Sequence, residues 1–160
     1  IAINSEVTSI RHAAAILGQK ELKKWINTVI TKELCADRTN EVARTSMLRA
    51  KFMECLAPMF GLGAKASEVF LMGLFSILDI ILDMLMEEAL KKVNVTKEIS
   101  DALVYRKGEL ANIYSFVISY ESADWQEISR QLIVLGVDTN AIYQAYTETM
   151  CWYKSMFFES

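Results

Sequence analysis

Few side chains in this 160-residue chain have both the type and the spacing that chemistry requires. The single histidine, His12, sits in SIRHAAAILG. A histidine metal site recruits several imidazoles or carboxylates, which one imidazole cannot supply, so a surface or partly buried helix position is expected. Asp79 and Asp83 stand at i and i+4, on one helix face, as a shared carboxylate site demands. With no further ligand type close by, they read as the wetter edge of a helix. GLGAKAS at 61–67 has a G-x-G spacing, but no later glycine completes a phosphate-binding fingerprint and no strand precedes it. A helix stop followed by a helix start is expected there. Cys35, Cys55 and Cys151 are odd in number, far apart and without a CxxC, which fits a reducing cytoplasm and gives no disulfide framework. Trp152, Tyr153, Phe157 and Phe158 read first as core. Phe157 and Phe158 cannot both face inward on one helix, so Trp152, Phe157 and Phe158 form a candidate interaction surface.

The element organising these residues is ASEVFLMGLFSILDIILDMLMEEAL, Ala66 to Leu90, with no charge between Glu68 and Asp79. Apolar residues on every side predict a helix surrounded by neighbours. Asp79 and Asp83 interrupt the run too early for a membrane span. The pattern predicts a central helix that bends near Asp83 and continues to Val93, most buried from about Ser67 to Asp83.

Around it the period is helical throughout, with one proline and six glycines and no clean alternation of period two. A short first helix, capped at Thr8 or Ser9, ends at Gly18. A second, about Gln19 to Leu34, carries the stripe Leu22, Trp25, Ile26, Val29 and Ile30. CADRTN is a polar break, and Asn40 caps a helix with Leu48, Phe52, Cys55 and Met59 at helical spacing, disturbed at Pro58. Thr96 caps a short helix to about Tyr105, and Leu110, Ile113, Tyr114, Val117 and Ile118 mark another. Asp124 and Glu127 resemble a capping box for a helix that Gly136 closes. Asp138 or Thr139 starts the last helix, with Ile142, Tyr146, Met150, Tyr153 and Phe157 along one side.

A hydrophobic content of 52% is ample for one core, and the length suits one domain over 1–160. The formal charge of −3 divides into +4 over residues 1–65 and −7 over 66–160. That basic excess is small and has no aromatic–basic platform, which argues against nucleic acid. No signal peptide or lipidation motif is seen, so neither a membrane partner nor a secreted location is expected. Opening at Ile1 in structured sequence, the chain is expected to be a fragment of a longer protein.

Two segments carry a family resemblance. INSEVTSIRHAAAILGQKELKKW resembles the opening of HDOD domains, where an Asn-Ser pair precedes a Ser-Ile start and an A-x-x-x-L-G helix. ELANIYSFVISYESADWQEIS is similar to the later part of HDOD regions that follow an EAL domain in bacterial signalling proteins. The resemblance implies an all-α helical bundle of the HD-domain/phosphodiesterase type, missing an upstream helix and an N-terminal EAL domain, the cyclic-di-GMP phosphodiesterase module.

HD enzymes hold water-activating metals with a His-Asp pair near the end of a G-L-L-H-D-I-G run. The matching run here is Gly73-Leu74-Phe75-Ser76-Ile77-Leu78-Asp79. By that resemblance Ser76 stands for the histidine, Ile77 for the aspartate, and Thr45 for a further histidine upstream. A hydroxyl and an alkyl group do not replace imidazole and carboxylate as ligands, and no G-Y-P motif occurs. Asp79 lies about 200° around a helix from Ile77 and cannot substitute. The implied function is a non-catalytic regulatory or interaction module, with no cofactor and no metal. Its partner would be its own EAL domain, another signalling protein or a second copy. Two alternatives stand beside it: a small-ligand sensor using the former metal cleft, and a divergent metal-dependent phosphohydrolase.

Overall fold

The computed structural model describes residues 37–93 and 95–157. Over them the expected all-α class holds: eight α-helices and two 3-10 turns follow one another, and no strand occurs among the described residues. The two expected N-terminal helices, with His12 and Cys35, lie outside the described residues, as does Phe158. No helix of the described residues is long and apolar enough to cross a membrane.

Helix α1 spans Asp37–Leu56, starting earlier than the expected cap at Asn40. DRTN is thus helical and does not break the chain. The deepest line of α1 is Ser46, Ala50 and Met53, continued by Ala57 just past its end. Of the expected stripe Leu48, Phe52, Cys55 and Met59, only Phe52 is fully buried. Small residues carry little hydrophobic signal, yet they are the ones that let another helix come close. At Pro58 the α-helix gives way to a 3-10 turn, Ala57–Phe60, and Gly61 (φ 71°) stops it. The Leu62 amide donates to Ala57 O at 2.8 Å, so the chain reverses without stranding the last carbonyls. A second 3-10 turn, Gly63–Lys65, leads directly into the next helix.

That helix, α2 (Ala66–Phe75), has seven consecutive buried residues from Val69 to Phe75. The expected single long helix is corrected here. The chain breaks at Ser76–Ile77, where Ile77 takes φ −126° and ψ 19°, and resumes as α3 (Leu78–Leu82). Asp83 then adopts a left-handed conformation (φ 53°) before α4 (Met86–Val93). The first break has a local cause. The Ser76 hydroxyl donates to Gly73 O at 2.7 Å, so a side chain competes for the carbonyl that backbone continuation would use.

Helix α5 (Lys97–Tyr105) is capped as expected, with Thr96 Oγ1 accepting from the Ile99 amide. Helix α6 spans Leu110–Glu121 and α7 Trp125–Leu135, closed by Gly136 at φ 64°. Asp124 caps α7 by accepting from the Glu127 amide at 3.1 Å. The reciprocal half of the capping box is absent, because the Asp124 amide donates to Ser119 O and the Glu127 carboxylate accepts from Arg130 and Gln131. Helix α8 (Thr139–Phe157) packs along α1. It buries Ile142, Ala145, Thr149 and Trp152. This differs from the expected line through Tyr146 and Met150: Tyr146 is 41% exposed. The Thr149 hydroxyl donates to Ala145 O at 2.8 Å, which removes its polarity from the interface and lets a threonine serve as core.

Helices α1 and α2 touch through their backbones. A Cβ added at Gly73 would lie 2.6 Å from Ala50 Cα and 2.9 Å from its nitrogen. Gly73→Ala is therefore expected to lower stability by at least about 1 kcal/mol, although Gly→Ala inside a helix ordinarily gains about 0.5–1 kcal/mol. Gly61→Ala, with nothing within 4 Å of the new Cβ but a positive φ, should lose about 1–2 kcal/mol by strain alone. Urea unfolding of both variants is the check, and a Gly73→Ala midpoint at or above wild type would refute the close contact.

Candidate functional site

The interrupted end of α2 leaves a carbonyl and a hydroxyl in the core, and α1 supplies the groups that meet them. Ser46 and Arg49 are one turn apart on α1, so both reach the same place. The wholly buried Ser46 donates through Oγ to Leu74 O at 2.6 Å. Arg49 Nη1 donates to Ser76 Oγ at 2.8 Å. Ser76 thus gives its proton to Gly73 O and accepts from the guanidinium, and its oxygen is committed on both counts.

The other arm of Arg49 is a fork. Nε donates to Glu121 Oε1 at 2.8 Å and Nη2 to Glu121 Oε2 at 2.6 Å, the planar bidentate geometry in which arginine binds carboxylates most strongly. Glu121 ends α6, so one guanidinium ties α1, the α2–α3 break and the end of α6 together. The Arg49 side chain is 9% exposed and that of Glu121 36%. Burial opposes the charge on Arg49, but the hydrogen bonds and charge of Glu121 outweigh it, with smaller help from Tyr114 and Asp79, and hold its pKa above the ordinary value. Tyr114 is pushed up by burial, against the pull of Arg106 and Arg49; the Arg106 guanidinium lies 4.0 Å from its ring centroid.

The positions singled out in the sequence come together around this arginine. Thr45 and Ile77 line one open hollow of about 410 Å³ with Arg49, Glu41 and Ile80, and Ser76 meets it through its bond to Arg49. Asp79 lies in the first turn of α3, while Asp83 caps that helix in a left-handed conformation, so the regular i, i+4 face they were expected to share ends at Asp83. Trp152 does not belong to a surface: it is 9% exposed, meets Phe70 edge-on at 6.5 Å, and carries Lys51 Nζ 5.8 Å above its ring. Phe157 closes α8. The Cys55 thiol is pushed up to about 11, chiefly by burial, which leaves it a poor nucleophile.

Sequence reasoning missed Ser46, Arg49 and Glu121. A lone arginine on a helix reads as solvated, and its partner is 72 positions away. One signal was present: Thr45, Arg49, Phe52 and Leu56 share a helical face on which Phe52 and Leu56 are buried, so Arg49 had to be partly covered.

The residues at this place do not fit the metals that the HD resemblance implies. The Ser76 oxygen is already used twice, Ile77 offers no donor atom, and a guanidinium within hydrogen-bonding reach would repel a divalent cation. Among the described residues no group of three or more His, Cys, Asp or Glu side chains is placed to hold a metal ion.

The asymmetry in burial orders two substitutions. Glu121→Ala strands a guanidinium that is nearly all covered, whereas Arg49→Met leaves a carboxylate that water still reaches. We expect Glu121→Ala to cost about 2–3 kcal/mol and Arg49→Met nearer 1 kcal/mol. Urea titration would read both, and the reverse order would show that the fork is not what neutralises Arg49.

No family model matches the chain, and no solved structure matches it. It is 27% identical over 150 residues to the cyclic di-GMP phosphodiesterase CdgJ of Vibrio cholerae, covering 94% of this chain and 35% of that protein. It is 28% identical over 156 residues to the uncharacterized protein YuxH of Bacillus subtilis, covering 94% and 37%. The chain spans about a third of the length of these curated relatives. Nearly the whole chain is therefore related to one segment of a protein named as a cyclic di-GMP phosphodiesterase.

Proposed function

We propose that the chain is an HDOD-type regulatory and interaction module, itself non-catalytic, of a cytoplasmic bacterial protein that works in cyclic-di-GMP signalling. The observation that carries this reading is the commitment of the Ser76 hydroxyl to Gly73 O and to the Arg49 guanidinium. A position matched by resemblance to a metal-binding histidine is used to tie off a broken helix and seat an internal cation. The link to cyclic-di-GMP rests on the relationship to CdgJ, of which this segment covers 35%. On this reading phosphodiester hydrolysis belongs to an EAL domain elsewhere in the parent polypeptide. The module acts on that domain, on another signalling protein or on a second copy through contacts that differ between two states of its neighbour.

The test uses the purified 160-residue chain. After dialysis against Mn²⁺ or Zn²⁺ and desalting, elemental analysis should find far less than one equivalent of metal, and incubation with cyclic di-GMP should give no linear dinucleotide. Ser76→His with Ile77→Asp should not create activity, since Arg49 still occupies the place and two new ligands alone do not complete a metal site. Turnover that co-purifies with the wild-type chain and returns on adding metal after chelation would overturn the non-catalytic reading.

A further inference from the structure

A second hollow lies beside Arg49, between α1, the end of α6 and α8. It encloses about 300 Å³ and is lined by Thr45, Arg49, Phe52, Tyr120, Glu121 and Tyr146, among others. Its walls are aromatic. Phe52 and Tyr120 have ring centroids 5.1 Å apart with planes at 53°, Phe52 and Tyr146 5.7 Å at 87°, and Tyr120 and Tyr146 5.7 Å at 44°. Phe52 is buried and Tyr146 is 41% exposed, so one ring forms the back and the other stands at the mouth. Tyr120 cannot swing freely, because Phe116 stacks on it at 6.4 Å and Trp125 meets it edge-on at 6.1 Å. The wall is thus held in place before anything binds, which lowers the entropic cost of binding.

Charge narrows the class of ligand. Among the described residues of the wall the one cation is already neutralised by the Glu121 fork, so an anion or a cation entering would find no net opposite charge and would shed its hydration uncompensated. Each Glu121 oxygen accepts one bond from Arg49 and keeps acceptor capacity for an N–H. The volume lies at the lower end of small-molecule sites, about 300–1,000 Å³, room for one ring system with a small substituent. We propose that this hollow is a binding site for a neutral, planar heteroaromatic group of nucleobase size that stacks on Tyr146 and donates an edge N–H to Glu121. It stands apart from the regulatory reading, which needs no ligand here.

Guanosine is the probe, with benzoate and benzamidine as charged ring controls, each titrated into the full 160-residue chain and followed by amide chemical shifts. Saturable guanosine binding that perturbs residues around Tyr120 and Tyr146 is expected, with neither charged ring binding. Tyr146→Ala should weaken guanosine about tenfold, in line with the loss of one base–aromatic stack, while Tyr146→Phe should leave it nearly unchanged. Glu121→Gln, which unbalances Arg49, should admit benzoate. Three results would overturn the proposal: no saturable guanosine binding, binding that Tyr146→Ala does not weaken, or self-association in sedimentation that Tyr146→Ala abolishes. The last would give the hollow to a second copy of the chain.

Discussion

Helices α1 and α2 meet at Gly73 and Ala50 at a separation that leaves no room for a side chain on α2, since a Cβ there would lie 2.6 Å from Ala50 Cα. At this distance short side chains act across the interface that would otherwise reach only water or their own helix. Ser46 bonds to Leu74 O because the two backbones are this near. Ser76, one residue past the end of α2, falls within reach of a guanidinium rooted on the opposite helix. Move the helices apart by the width of a methyl group and Leu74 O loses its donor, leaving a buried acceptor at a cost of about 1–3 kcal/mol.

The break and the arginine are consequences of each other. An unbroken α2–α3 helix would satisfy its own carbonyls, and a buried Arg49 would then have only Glu121. With the chain broken at Ser76–Ile77, Arg49 gains a third bond, and the serine that breaks the helix gains an acceptor role. A covered ion pair is weak as a source of net stability, because desolvation consumes much of the attraction. Its value here is geometric. A bidentate fork with a third N–H donated to Ser76 Oγ fixes the angle between α1, the end of α2 and the end of α6, which apolar packing alone would leave adjustable.

Much of the helix pattern was legible because it is governed by neighbours in sequence. Thr96, Asp124, Asp138, Pro58, Gly61 and Gly136 act within a few residues of themselves, and the chain uses each where local chemistry says it should. What was not legible depends on distance in space. The buried face of α8 runs through Ala145 and Thr149 instead of Tyr146 and Met150, since close contact with α1 favours small side chains over large ones. The α2–α3 break is invisible to hydrophobic periodicity, because the residues on both sides are equally apolar. At the site, resemblance pointed to Thr45, Ser76 and Ile77, and the structure gathers them around Arg49, whose carboxylate partner is 72 positions away. Trp152, which reads first as core and then as part of a candidate surface, lies in the core.

The same geometry bears on how such a module could transmit a signal. Regulation without catalysis requires an element with two arrangements that differ in their contacts to a neighbour. Most described helices are held by continuous backbone bonds and broad apolar contact, which resist small displacements. The Ser76–Ile77 break differs, since three side chains from elsewhere in the fold hold its carbonyls and its hydroxyl: Ser46 directly, Arg49 directly, and Glu121 through Arg49. Glu121 is the most exposed member of this chain of bonds, and it lies at the end of a helix followed by a short turn. On the regulatory reading, a partner that engages Glu121 draws on the fork, and through Arg49 it alters the bond at Ser76 without touching α2. The coupling runs both ways by thermodynamic necessity, so a change in the angle of α3 against α2 must equally change how Glu121 is presented at the surface.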